Sequence, residues 1–226
     1  MNDVFIQYAL IILAAILPSI ASAKVSSAYN KYAQVENSKK LTGRDVARKI
    51  LDKNGLQKVT ISEISGNLTD HYDPSSKHIN LSSRIYSDTS ISSLAVAAHE
   101  CGHAIQDKER YTFLRFRSAM VPVVNFTSRV ATIFLAVGIV AQLTGFLTVG
   151  IILLSAGLLF QLVTLPVEFN ASARAKIQLE EMGLINKADK DGTQKVLHAA
   201  ALTYVAGFLS TALQIFRLIL INRNRN

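Results

Sequence analysis

The run VATIFLAVGIVAQLTGFLTVGIILLSAGLLFQLVTLPV, Val130 to Val167, holds 38 consecutive residues without Asp, Glu, Lys, Arg or His. At 1.5 Å per residue, one pass through a hydrocarbon layer of about 30 Å takes about 20 residues. The run is therefore long enough for two passes, and Thr144-Gly145 interrupts it near the middle, where a tight turn is expected. It predicts a helical hairpin across a membrane. The apolar character begins upstream at Ala119, so the first of these helices extends beyond the bilayer, with Arg129 near the interface or facing protein. Pro122 and Pro166 bracket the hairpin.

Composition agrees with this reading. Of the 226 residues 50% are hydrophobic and only 18% charged, below the roughly 25% of soluble domains, which points to surface that faces lipid. The same figures exclude intrinsic disorder. One cysteine cannot build a disulfide framework, and no Cys/His finger spacing is present. The net charge of +8 invites a nucleic-acid reading, but a basic face with interleaved aromatics is missing, and excess Lys and Arg is the mark of cytoplasmic segments in a membrane protein. No nucleic-acid partner is expected.

Two further apolar stretches lie outside the hairpin. Val4 to Ala23 is uncharged over 20 residues and predicts a first transmembrane helix, with Pro18 near its end. A cleavable signal peptide ending at Ala21-Ser22-Ala23 is the rival, against which stands an n-region, Met1-Asn2-Asp3, that carries an acid and no Lys or Arg. Ala199 to Phe216 is uncharged but diluted by Thr203, Ser210, Thr211 and Gln214, so either a fourth crossing or a re-entrant helix fits. Arg223 and Arg225 beyond it favour the second under the charge rule. The segment Lys24 to Ser118 carries 15 Lys+Arg and Pro166 to His198 carries five, whereas the N-terminus and the Thr144 turn carry none. Both polar segments are thus expected in the cytoplasm of a multi-pass cell-membrane protein. The segments delimited in this way are a transmembrane helix at 1–23, a catalytic segment at 24–118, the hairpin at 119–165, a cytoplasmic helix at 166–198 and a transmembrane or re-entrant helix with its tail at 199–226.

The polar segment 24–118 reads as a polar helix through Ser38 and a helix around Gly43 to Asn54 stopped by Gly55. Then come a β run at Val59 to Ser62, a hairpin pairing Asn67–Tyr72 with His78–Leu81, and a helix capped near Thr89 or Ser90 that runs to about Asp107. On this last helix sits His99-Glu100-Cys101-Gly102-His103. At about 100° per residue, His99 and His103 lie one turn apart on one face, where two imidazoles can share a Zn²⁺, and Glu100 beside them can act on water as a base. Two packed polar histidines are the bland alternative. The apolar approach Leu94-Ala95-Val96-Ala97-Ala98 weighs against it, because burying ionisable groups without partners is costly. Cys101 points away from both histidines and reads as packing. Gly102, costly inside a helix, suggests that another segment approaches closely there.

Tetrahedral zinc needs a third protein ligand before water takes the open position. Glu168 is the expected donor: it is the first charge after the 38-residue run and emerges on the side of the polar segment. Its other reading is a helix acid that complements the dipole. Donors for an oxyanion are sought among His198, Tyr204 and Tyr72, each of which also reads as an ordinary packed or interfacial side chain.

The stretches Leu68-Thr69-Asp70-His71-Tyr72-Asp73-Pro74, Val96-Ala97-Ala98-His99-Glu100, Gly102-His103-Ala104-Ile105-Gln106 and Leu165-Pro166-Val167-Glu168-Phe169 resemble the YugP-like family of bacterial neutral zinc metallopeptidases, and more distantly the HtpX group. The resemblance covers nearly the whole chain. It implies a membrane gluzincin with His99, His103 and Glu168 as metal ligands, Glu100 as catalytic base and one Zn²⁺ per chain. Two positions depart from the family pattern: Asn170 stands where an Asp is usual, and Cys101 where an aliphatic residue is usual. The fold class expected is mainly α and membrane-embedded, a zincin-like α+β insert with a small β-hairpin or sheet plus three to four transmembrane helices.

The function expected is zinc-dependent endopeptidase action on protein or peptide substrates, including membrane or misfolded proteins. A non-catalytic metal-binding scaffold is the alternative, and the intact Glu100 speaks against it. A zinc transporter would place ligating side chains inside the spans, and Val130 to Val167 contains none.

Overall fold

A computed structural model describes residues 2–225, with side chains from residue 5 onward. Met1 and Asn226, the outermost residues of the first and last segments delimited above, lie outside the described residues. The chain is mostly helical: α1 (Asn2–Tyr32), α2 (Gly43–Lys53), β1 (Thr60–Ile64), β2 (His71–Asp73), β3 (His78–Ser82), α3 (Ser83–Ser87), α4 (Ile91–Lys108), α5 (Thr112–Val140), α6 (Thr144–Glu181) and α7 (Lys187–Arg223). Four of the helices, α1, α5, α6 and α7, are long and apolar enough to cross a membrane.

The residues fall into two compact units. One comprises residues 2–22, 115–165 and 203–225. Its large apolar side chains face outward, with Phe126 68%, Ile133 62% and Val140 84% exposed. Such surface is stable against lipid and costly against water. Inside it, Ile151, Ile215 and Leu218 pack together with Leu135 and Leu154, and the Ser210 hydroxyl donates to the Ala14 carbonyl at 2.6 Å. The break between α5 and α6 falls at 141–143, with Gln142 in the left-handed region, so the turn lies just before Thr144-Gly145, where it was expected, and those two residues instead open α6.

The other unit, Ala23–Leu114 with Pro166–Leu202, holds the main apolar core. At its centre is α4. Fourteen of its residues are buried, as in a helix covered on all sides. It starts where the Ser90 hydroxyl accepts the Ser93 N–H. It ends with Arg110 left-handed at φ 55° and the Tyr111 N–H bonded back to the Gln106 carbonyl, a Schellman closure. Against it lies α2, opened by a capping box between Thr42 and Asp45 and ended at Gly55 (φ 68°). It buries Val46, Ala47, Ile50 and Leu51 completely.

The three-stranded sheet has the order β1-β3-β2. The expected hairpin is present but shorter, with β2 and β3 antiparallel through His71↔Asn80 and Asp73↔His78. The β run pairs parallel to β3, a partner that local pattern does not reveal. The polar helix expected through Ser38 ends at Tyr32. The chain beyond is fixed instead by the Asn37 side chain, which donates to Leu41 O and Thr89 O.

Candidate metal centre

His99 and His103 meet as predicted, one turn apart on α4, with ring centroids 4.8 Å apart and the rings nearly perpendicular. The third donor comes from α6. Gly102 permits this approach, because a Cβ there would lie 3.0 Å from Ala171 Cα and closer still to the Ala171 carbonyl oxygen. With only hydrogen on that face, the α6 backbone packs on the helix and delivers Glu168, three residues before Ala171, to the histidine pair. The close segment that Gly102 implied is thus α6.

Glu168 is 2% exposed. Its Oε2 lies 3.3 Å from His99 Nε2 and 3.5 Å from His103 Nε2. Charge-assisted hydrogen bonds run at about 2.7–2.9 Å, so these separations are long for a direct ion pair. Donors bound about 2.0–2.1 Å from one tetrahedral ion would lie about 3.3–3.5 Å apart. Ligand atoms of all three residues fall within 4.8 Å of one another. The arrangement therefore suits a shared cation, and two imidazoles with a carboxylate suit zinc.

The remaining imidazole nitrogens are also occupied. His99 Nδ1 lies 3.1 Å from the Ser172 hydroxyl, and His103 Nδ1 lies 3.0 Å from Gln106 Oε1. Ser172 and Gln106 were not singled out as site residues from sequence. Their spacing contains the signal: Ser172 follows Glu168 by four residues and Gln106 follows His103 by three, so each shares a helix face with a donor.

A family model described as "Putative neutral zinc metallopeptidase" matches residues 7–223. The chain belongs to that family. It is also 46% identical over 204 residues to a protein of Bacillus subtilis (strain 168) named "Putative membrane protease YugP", covering 90% of this chain and 91% of that protein. No solved structure matches the chain. Membership in a zinc metallopeptidase family implies zinc, and the His–His–Glu group is an arrangement that could hold a metal ion.

In this metallopeptidase-family chain, Glu100 is 7% exposed. Burial pushes its carboxyl up to about 7, with His99 opposing, the charges of Glu168 and Asp70 adding to the rise, and the Tyr72 backbone N–H lowering it by donating a hydrogen bond. A stability effect follows for the metal-free protein. The folded chain holds this proton to about pH 7, whereas an unfolded chain releases it near the usual 4.5, so the stabilising contribution is complete at low pH and is lost as pH rises through that window. Glu100→Gln is expected to make metal-free protein more stable than wild type at pH 8, by about 3 kcal/mol, with the gap closing by pH 4.5. Urea unfolding at the two pH values checks this, and an equal gap at both would refute it.

The other candidates are placed as follows. Tyr72 OH donates to Asp107 Oδ2 at 2.6 Å, and Lys77 reaches the same oxygen at 2.5 Å. The phenol is thus committed to holding β2 and its turn on the end of α4. His198 lines a largely apolar cavity of about 140 Å³ that Phe169 and Ser172 also line, and none of the three metal-donor candidates lines it. Tyr204 belongs to the other unit. Cys101 is buried against α2, its Sγ 3.6 Å from Ala47 O, which agrees with a packing role. His71 contacts Asn80 within the hairpin, and His78 contacts Thr60 of β1.

Proposed function

We propose that this chain is an integral membrane zinc endopeptidase in which His99, His103 and Glu168 hold one Zn²⁺ and Glu100 is the general base. The observation that carries the reading is the convergence of the three donors with Glu100 buried next to His99. The zinc ion, when bound, supplies Lewis acidity that polarises a peptide carbonyl and acidifies water.

Glu100, once ionised, accepts a proton from the attacking water at a carboxylate oxygen and passes it to the amine nitrogen that leaves. A carboxyl pushed up to about 7 in the metal-free protein is partly protonated near neutrality and can both take and give a proton there, which suits both halves of that transfer. The Tyr72 N–H that donates to Glu100 orients the carboxylate. β2 is an edge strand, and its outer edge, apart from the Tyr72 N–H given to Glu100, offers extended, unfolded segments a surface for strand addition. Substrates are therefore proteins or peptides with an exposed extended stretch, membrane and misfolded proteins among them.

The site works on the cytoplasmic side of the cell membrane. The support is charge: residues 24–118 and 166–198 carry 15 and five Lys+Arg, against none at the N-terminus and the Thr144 turn. Single cysteines placed at exposed positions such as Ser76 or Lys187, in a Cys101→Ala background, are expected to resist membrane-impermeant maleimide in intact cells and to react after lysis. Labelling in intact cells would overturn this orientation.

The metal reading is tested by elemental analysis of detergent-purified protein. Wild type is expected to retain about one zinc per chain after dialysis, whereas Glu168→Ala loses zinc to a mild chelator, as removal of one of three protein ligands requires. Full occupancy in Glu168→Ala would refute the assignment.

A further inference from the structure

Gln106 is completely buried between α4 and α6, and every hydrogen-bonding group of its amide is engaged. Its Nε2 donates to the Val167 carbonyl at 2.8 Å and to Asn170 Oδ1 at 2.9 Å. A backbone carbonyl can only accept, so the NH₂ end of the amide must face α6. The oxygen end then faces His103 Nδ1 at 3.0 Å. An amide oxygen only accepts, so Nδ1 must carry the hydrogen, and in the neutral imidazole Nε2 is left with its lone pair. That nitrogen is the one 3.5 Å from Glu168 Oε2.

His99 lacks such a lock. Its Nδ1 partner is the Ser172 hydroxyl, which can donate or accept and imposes no tautomer.

Gln106 is itself held. Asn170 Oδ1 accepts from Gln106 and also from Arg174 Nε at 2.7 Å, and Arg174 pairs with Glu109 at 2.7 Å. Asn170 therefore works through its acceptor oxygen, a role that an amide fills as well as an acid.

We propose that Gln106 is a positioning residue that fixes His103 as the Nδ1–H tautomer with Nε2 free for metal, and that Asn170 and Arg174 hold Gln106 in that orientation. The proposal rests on the reading of His103 as a zinc ligand. It also makes Gln106 the tie between the histidine helix and the helix that carries Glu168, since one amide contacts both.

The test uses full-length, detergent-solubilised protein with ¹⁵N-labelled histidine. The His103 tautomer is read from the nitrogen shifts of zinc-free protein, assigned with His103→Asn, and zinc affinity is read by competition with a chromophoric chelator. Wild type is expected to show Nδ1–H. Gln106→Met, similar in shape but without hydrogen bonds, is expected to give a tautomer mixture and an affinity about 10- to 100-fold lower. Asn170→Leu shifts both readouts in the same direction by less, and Asn170→Asp, which keeps an acceptor for both donors, restores them. A folded Gln106→Met with the wild-type tautomer and affinity overturns the proposal. If that variant does not fold, wild-type values in Asn170→Leu overturn it instead. A wild type that binds no zinc, with a His103 tautomer that still depends on Gln106, refutes the metal reading while upholding the lock.

Discussion

In zinc-loaded protein, Glu100→Gln is expected to lower hydrolysis of an unfolded protein substrate by about 10²- to 10⁴-fold while zinc content stays at the wild-type level. Gln is close to Glu in shape and can still accept the Tyr72 N–H, so the buried site keeps its packing. What it loses is the ability to take and return a proton. The side chain lies outside the His–His–Glu group, so metal retention and loss of rate separate cleanly. Mass-spectrometric detection of new termini, with both proteins purified in parallel, is the measurement. Equal cleavage by the variant would remove Glu100 from the chemistry, and equal inactivity of both, with zinc bound, would favour the non-catalytic scaffold.

Gly102→Ala is expected to cost zinc affinity by at least about 10²-fold, although residue 102 contacts no donor atom itself. Helix propensity alone would favour alanine by about 1 kcal/mol. Tertiary packing reverses that sign: the new methyl would sit 3.0 Å from Ala171 Cα and against the Ala171 carbonyl. The obstacle is backbone, not the end of a flexible side chain, so α4 and α6 must separate. Overpacking of this kind costs about 1–3 kcal/mol, and a shift of about 1 Å in Glu168 is enough to disable a site of this geometry. Gly157→Ala is the matched control, since no atom lies within 4 Å of a Cβ there. Isothermal titration with zinc checks the pair. Wild-type affinity in Gly102→Ala would mean that the close approach of the helices does not position Glu168.

Much of this site was legible in the residues because the α-helix is a rigid ruler. A spacing of four places His99 and His103 on one face whatever surrounds them, and the uncharged run Val130 to Val167 supplies two stretches long and apolar enough to cross a membrane. Glu168 was legible for a related reason, as the first charge beyond that run. Gly102 announced a close neighbour without identifying it.

Other features were not legible. Ser172 and Gln106 are common polar residues whose helical spacing from a donor is a weak signal, and it is their distances to His99 and His103 that give them meaning. Tyr72 was weighed as an oxyanion donor, but its hydroxyl is spent on Asp107, a partner 35 residues away that no local pattern indicates. The parallel pairing of β1 with β3 and the short α3 were likewise beyond periodicity, because strand partners and single helical turns are chosen by the core that covers them.

The sequence by itself determined the long apolar stretches and the pair of histidines on one helix face, since these follow from local geometry and from the transfer of side chains out of water. Only the tertiary structure decided which backbone Gly102 admits, that Glu168 closes on both histidines, and that Gln106 holds one of them. Those outcomes depend on contacts between residues more than 60 positions apart, and such contacts exist only once α4 and α6 have packed.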